Sequence, residues 1–203
     1  MRKQKKVWNE IAESWAKYRE KPFDEVLSFL EGKRGKILDV GCGSGRHFIN
    51  NQNLDFYGVD FSDKMLELAK KKSVEKNFSV VLKLMKDEKI PFEDNFFDLA
   101  ICISVLHCIP RKSRRIFLLK EIKRVLKPRA EFLLSVWSKN HKRIKNKGKE
   151  IFVPWKIGEK IYQRYYYIYD IDELKKEVEN VGFKILGEKE NENIWLRLKN
   201  EPV

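Results

Sequence analysis

The stretch "KILDVGCGSGRHF", Lys36 to Phe48, sets three glycines within five residues straight after a short apolar run. Nothing else in the chain narrows the fold as far. Glycine adopts backbone angles closed to other residues and lets a ligand lie against the main chain. In open α/β sheets such a loop joins a buried strand to the next element, and ligands bind at that carboxyl end, beside the point where strand order reverses. The remaining chain must then alternate strands with helices.

It does. "KILDV" reads as a buried parallel strand, and "SGRHFINN" opens a helix after it. "DFYGVD" is a second strand, and Ser62 caps the helix "DKMLELAKKK". "FSVVLKLM", "FFDLAICISV" and "EFLLSVW" continue as strands three to five. The helix "RKSRRIFLLKEIKRVLKP" stops before Pro128. After a basic loop, the helix "DIDELKKEVENVG" precedes a hairpin of "FKILGEK" and "NIWLRLK". At the start, Val7, Ile11, Trp15 and Tyr18 recur at helical spacing, and Pro22 opens a short helix closed by Gly32. The expectation is an α/β fold: an open, mostly parallel seven-stranded sheet with helices on both faces and a C-terminal antiparallel hairpin. At 203 residues, one domain over 1–203 holds a full core.

The formal net charge of +13 points to a polyanionic partner, because summed positive potential attracts phosphates. The alternative is a lysine-rich, merely solvated surface. Two segments carry the excess: the loop Ser138 to Glu150, and "RKSRR" from Arg111 to Arg115. Cys42, Cys102 and Cys108 form no C-x-x-C pair, which argues against zinc or a disulfide framework and for a reducing, cytoplasmic setting. No apolar run approaches the roughly 18–20 residues of a membrane helix, and the basic start lacks a small-residue cleavage site.

A dinucleotide loop requires G-x-G-x-x-G, but the sixth position counted from Gly41 is Arg46. Asp60 ends the second strand, where a carboxylate accepts from ribose hydroxyls. "ILDVGCGSG", "YGVDFSDKML", "IPFEDNFFDLAICISVLHCI" and "LLKEIKRVLKPRAEFLLSVW" together resemble the class I S-adenosylmethionine-dependent methyltransferases. The resemblance implies that Asp39, Gly41, Gly43 and Gly45 support the methionine part of S-adenosyl-L-methionine and that Asp60 holds its ribose diol. It puts Lys86 or Asp87 at the adenine.

Three further stretches, "VWNEIAESWAKYREKPFDEVLSFL", "SVLHCIPRKSRRIFLLKEI" and "IFVPWKIGEKIYQRYYYIYDIDEL", resemble the tRNA methyltransferases that esterify 5-carboxymethyluridine at the wobble position. Phe23, Cys108 and Tyr167 stand where that family has Trp, His and His. The resemblance implies a tRNA substrate and an N-terminal helical lid of about residues 1–31. It also implies a small zinc-containing activator protein covering an apolar edge, near which "AEFLLSVW" offers an apolar strand, although burial within the sheet explains that stretch just as well.

A carboxylate nucleophile is already ionised near neutral pH, so it needs alignment and water exclusion rather than a base. Arg19 and Arg164 are the candidate cations for it, since guanidinium grips carboxylates bidentately. Trp137 is the candidate stacking surface for uracil, and His107 the candidate hydrogen-bonding group. The plainer readings are solvent-facing charges for the arginines and packing for Trp137 and His107. His47 is read as packing, His141 as solvated among lysines, and alternate members of Tyr165, Tyr166 and Tyr167 as core. Two other functions stay open. One is methylation of a small acid or quinone-like metabolite. The other is an RNA-binding module that has lost catalysis.

Overall fold

The computed structural model describes residues 2–144 and 148–202. The part of the basic loop at 145–147 lies outside the described residues. The strands are β1 (Gly35–Val40), β2 (Leu54–Asp60), β3 (Val80–Leu84), β4 (Phe97–Ile103), β5 (Leu126–Trp137), β6 (Glu150–Ile157), β7 (Lys160–Tyr167), β8 (Phe183–Glu190) and β9 (Asn193–Asn200). The helices are α1 (Arg2–Lys17), α2 (Asp24–Leu30), α3 (Asp63–Glu75), α4 (Lys112–Val125) and α5 (Ile171–Val181).

Seven strands form one sheet in the order β3-β2-β1-β4-β5-β9-β8. The first five run parallel, and β9 is antiparallel to both β5 and β8. Chain order reverses between β1 and β4, so the carboxyl ends of β1, β2 and β4 converge. Alternate residues face opposite layers. Leu38, Ala100, Cys102 and Leu134 pack with Leu118 and Ile122 of α4 and Leu174 of α5. Ile37, Leu99, Ile101 and Leu133 pack with Phe29 of α2 and Ala69 of α3. The helices therefore cover both faces, as the alternating pattern requires.

Four local expectations need correction. "SGRHFINN" is a set of turns rather than a helix. Gly45 sits at φ +76°, and a Cβ there would lie 2.7 Å from the Phe48 ring. Phe48 is drawn inward against Phe56 and Phe78, which holds the chain in tight local turns such as Gly45 N–H to Cys42 O at 2.9 Å. The helix α4 ends at Val125 and the strand begins at once, so Pro128 lies within β5. There the pairing with β4 shifts between Phe97 and Leu99, which leaves Pro128 and Arg129 at an irregularity that needs no ladder donor.

Residues 150–167 form a separate two-stranded sheet, β6 against β7, turning at Gly158 with φ +57°. Pro154 and the tyrosine run concealed its alternation. Finally, "AEFLLSVW" is interior, paired to β4 on one side and β9 on the other. The open edges of the large sheet are β3 and β8. Among the described residues no helix is long and apolar enough to cross a membrane.

Candidate active site

The glycine loop is pinned to the neighbouring strand: the N–H groups of Gly41 and Cys42 both donate to Val59 O, at 2.7 and 3.0 Å. A Cβ on Gly41 would lie 2.3 Å from Val105 Cγ2, so only glycine lets the chain pass there. Gly43 N–H donates to Asp60 Oδ2 at 2.9 Å, and Ser62 N–H donates to Asp60 Oδ1 at 2.8 Å. Two backbone donors thus fix the Asp60 carboxylate at the end of β2. Burial nonetheless pushes its pKa up to about 6, because desolvation outweighs the two hydrogen bonds.

Asp39 is 1% exposed, and its Oδ2 has no hydrogen-bond partner among the described residues. His47 Nδ1 stands 3.5 Å from it. A buried carboxylate oxygen lacking a donor, behind a loop that only glycine can form, fits a ligand that brings donor groups to this corner.

A cavity of about 760 Å³, counted with its open mouth, lies in front of the loop. Gly41, Gly43, Ser44, Asp60, Met65, Met85 and Val105 form one wall. Trp8, Trp15, Arg19, Phe23 and Arg46 form the other. Trp8, Trp15, Arg19 and Phe23 belong to α1 and the segment after it, while Arg46 reaches them from the loop after β1 by stacking on Phe23. Gln4 ties α1 to β7, with Gln4 Nε2 donating to Gln163 O and Tyr165 N–H donating to Gln4 Oε1, both at 3.1 Å. Trp155 Nε1 donates to Ser14 Oγ at 3.1 Å. The hairpin thus supports the helix, and the helix roofs the cavity.

Arg19 lies over Trp15, 4.8 Å from its ring centroid. The only hydrogen bond of its guanidinium among the described residues is to Tyr18 O at 3.4 Å, so its charge is free of any carboxylate. Burial holds its pKa below the usual value. Arg46 stacks on Phe23 at 4.3 Å and donates twice to Lys21 O, at 3.0 and 2.6 Å. Burial, and then the neighbouring Arg19 charge, lower its pKa to about 10. Two guanidinium groups therefore face the cavity.

Arg164, His107 and Trp137 gather around Tyr166, next to the cavity but not in its lining. Arg164 is 2% exposed, lies 5.1 Å from the rings of both Trp15 and Trp155, and donates to Tyr166 Oη at 2.7 Å. His107 Nδ1 accepts the Trp137 N–H at 3.2 Å, which assigns the ring proton to Nε2. Burial lowers its pKa to about 3, so the ring is neutral. Trp137 packs edge-on to Tyr166, and its open face is taken by His141, stacked at 3.9 Å. His141 is consequently buried, not solvated among its lysines. Tyr165, Tyr166 and Tyr167 are all buried rather than alternately so.

Of the site residues proposed from the sequence, Arg19, Gly41, Gly43 and Asp60 line the cavity; so do Phe23 and Cys108, and His47, which was read as packing. Asp39, in β1 behind the loop, and Gly45, within the loop, are outside the lining. Lys86 and Asp87 are exposed and outside the lining, and Arg114 Nη2 binds Asp87 Oδ1 at 3.0 Å; Met85 takes the place facing the cavity. The sequence reading missed Arg46, Trp8 and Met85. Arg46 was visible only as the residue that breaks the dinucleotide pattern. Trp8 had a weaker signal: large aromatics on a helix otherwise rich in charge.

A glycine loop, an acidic residue closing β2 and this strand order define a methyltransferase fold of the S-adenosylmethionine-dependent kind. Residues 38–134 match the family model described as "Methyltransferase domain", so the chain carries that domain. It is 32% identical over 151 residues to the human protein named "Probable tRNA methyltransferase 9B", spanning 73% of this chain but 32% of that one. It is 28% identical over 216 residues to tRNA (carboxymethyluridine(34)-5-O)-methyltransferase of Schizosaccharomyces pombe, spanning 93% of this chain and 92% of that one. The chain thus spans about a third of the human relative's length and nearly the whole of the S. pombe relative's. Among solved structures it resembles an S-adenosylmethionine-dependent methyltransferase of Methanosarcina mazei, with TM-score 0.73 at 20% identity, covering 89% of this chain and 99% of that one. It also resembles a chain of the Haloferax volcanii complex between the Trm112 methyltransferase activator and a methyltransferase, with TM-score 0.72 at 13% identity, covering 100% of this chain and 100% of that one.

Proposed function

We propose that this chain is a tRNA methyltransferase that transfers a methyl group from S-adenosyl-L-methionine to the carboxylate of 5-carboxymethyluridine at the wobble position. The observation that carries the reading is Arg19: a guanidinium free of any carboxylate among the described residues, on the wall opposite Asp60 and the glycine loop. The near full-length likeness to the S. pombe tRNA methyltransferase supports the same substrate.

Asp60 would hold the ribose diol, and Gly41, Gly43 and Gly45 would let the methionine end lie along the backbone, with Asp39 behind them. The cofactor supplies an electrophilic methyl group on a sulfonium. Everything else required is positioning. Arg19 grips the substrate carboxylate and points an oxygen at the methyl carbon, with Arg164 behind it reinforcing the positive field. Trp8 and Trp15 exclude water, so the ionised carboxylate meets fixed dipoles rather than solvent. Trp137 and neutral His107 frame the base-binding end through Tyr166. No proton needs to move, because the nucleophile is already charged.

The chain is read as one domain over 1–203, with about residues 1–31 as a helical lid. The anchoring of α1 to both α3 and the β6–β7 hairpin supports this. A small zinc-containing activator is proposed as a partner, on the likeness to the Haloferax complex. The free cysteines fit work in the cytoplasm. Nucleoside mass spectrometry of tRNA from cells lacking the protein tests the reading. Free 5-carboxymethyluridine should accumulate at the expense of its methyl ester. An unchanged nucleoside profile sinks it in favour of a small-metabolite substrate.

A further inference from the structure

Among the described residues, six of the eight cations of the two basic segments are already engaged, Arg111 and Arg143 being the exceptions. In the first, Lys112 pairs with Glu177 at 3.6 Å and Arg114 with Glu88. Arg115 is buried, donating to Ile109 O at 3.1 Å beneath the Tyr167 ring. In the second, Lys139 pairs with Asp170, Lys142 with Glu192 at 3.2 Å and Lys149 with Glu173 at 2.6 Å. A cation held by a carboxylate contributes little net field to a passing phosphate.

The groove between the end of α1 and the outer face of α3 is different. Lys17, Arg19, Lys72 and Lys76 line it, and Arg46 lines its continuation beside Phe48 and Phe78. Among the described residues none of these five has a carboxylate within salt-bridge range. Lys72 reaches only the Glu20 carbonyl, at 3.4 Å. Glu13 and Glu20 are the opposing charges on this surface; Glu75 is taken by Lys71. The groove runs into the cavity without a break, since Arg19 and Ser44 line both.

We propose that this groove, and not the two basic segments, carries the RNA phosphate backbone into the active site. The inference rests on the tRNA reading above and adds the surface on which that substrate lies. Unpaired cations in a row leading to a cavity are the arrangement that releases counterions from a phosphodiester chain. Their mutual repulsion is consistent with this: desolvation and neighbouring Lys76 hold the Lys72 pKa below its usual value.

The test is fluorescence anisotropy with a labelled anticodon stem-loop RNA across a salt series, using the full chain. Lys17→Glu, Lys72→Glu and Lys76→Glu together should weaken binding at least tenfold. They should flatten the slope of log affinity against log salt by about 2, at about 0.7 per phosphate contact on a single strand. Lys17→Gln, Lys72→Gln and Lys76→Gln should do the same less strongly, with cofactor affinity and melting midpoint at parental values, which separates the effect from misfolding. Lys112→Gln with Lys142→Gln should change the slope by less than about 0.7. Parental affinity in the groove variants, or an equal loss in the paired-segment variant, overturns the groove while leaving the tRNA reading in place. If the parent itself binds the RNA without salt dependence, both fall together.

Discussion

Ser62 Oγ donates to Asn9 Oδ1 at 2.6 Å, while the Ser62 backbone N–H donates to Asp60 Oδ1 at 2.8 Å. The same hydroxyl caps α3 by accepting from Met65 N–H at 3.1 Å. Asn9 Nδ2 in turn donates to Asp63 Oδ1 at 3.0 Å. One side chain of α1 is therefore tied to the residues that follow the Asp60 carboxylate. Asn9→Ala removes two hydrogen bonds, one of them to a charged group, and should cost about 1–3 kcal/mol. The checks are the denaturant midpoint and amide exchange over residues 2–17. An α1 that exchanges no faster would mean the helix is held by its tryptophans alone.

Asp60 gives a pH signature. Its carboxyl is raised to about 6 by burial, above its unfolded value of 3.8. Hydroxyl donors bind the ionised form, so cofactor binding must expel a proton below pH 6. Affinity for S-adenosyl-L-methionine should fall about tenfold per pH unit between pH 6 and pH 4. Asp60→Asn should bind weakly at every pH and lose the slope. Calorimetry across that range decides it, and a flat profile in the parent removes Asp60 from the ribose.

The glycine-loop side of the candidate site was legible because its parts are local. Gly41, Gly43 and Gly45 sit within one turn, and Asp60 follows a clear apolar strand. The side formed by α1 was not, because it is built from contacts between distant parts of the chain. Gln4 meets Gln163 and Tyr165, and Ser14 meets Trp155, so no spacing in the sequence connects them. Arg46 faces the cavity only because Gly45 and Phe48 turn the loop there instead of starting a helix. His141 was misread for the same reason: its neighbours in sequence are charged, but its neighbour in space is Trp137.

His107 makes a stability prediction with a definite sign. Its pKa is lowered from 6.5 to about 3, first by burial and then by the His141 and Arg164 charges. The unfolded chain therefore binds a proton below pH 6.5 that the folded chain refuses. Stability should fall as pH drops through that window, by about 1.4 kcal/mol per unit from this group. Asp60 contributes the opposite slope between about pH 4 and 6, because its folded pKa is the raised one. Comparison with His107→Leu isolates the histidine. The variant's disadvantage should shrink toward acid, read from urea midpoints, and a constant difference would mean that His107 is not buried neutral.

The decisive chemical prediction concerns Arg19. The proposed substrate differs from plain uridine by a carboxylate, and specificity for it requires a cation that has no partner of its own. Arg19 meets that condition; Arg46 is anchored to Lys21 O, and Arg164 is enclosed by Trp15, Trp155 and Tyr166. Arg19→Ala should lower kcat/KM on carboxymethyl-tRNA by about 10²-fold, in line with the 2–5 kcal/mol lost when a desolvated charge loses its partner. Cofactor affinity should hold, since Asp60 and the glycine loop lie on the opposite wall. Arg19→Lys should recover only part of the rate, because ammonium cannot present the planar fork. Arg164→Ala should act differently: removing it leaves the Tyr166 hydroxyl without its donor and loosens the packing beneath Trp15, so stability falls along with the rate. Single-turnover methyl transfer beside a cofactor titration separates the cases. Near-parental rates in both arginine variants would mean that the carboxylate is held elsewhere, and the case for an acid substrate would lose its chemical basis.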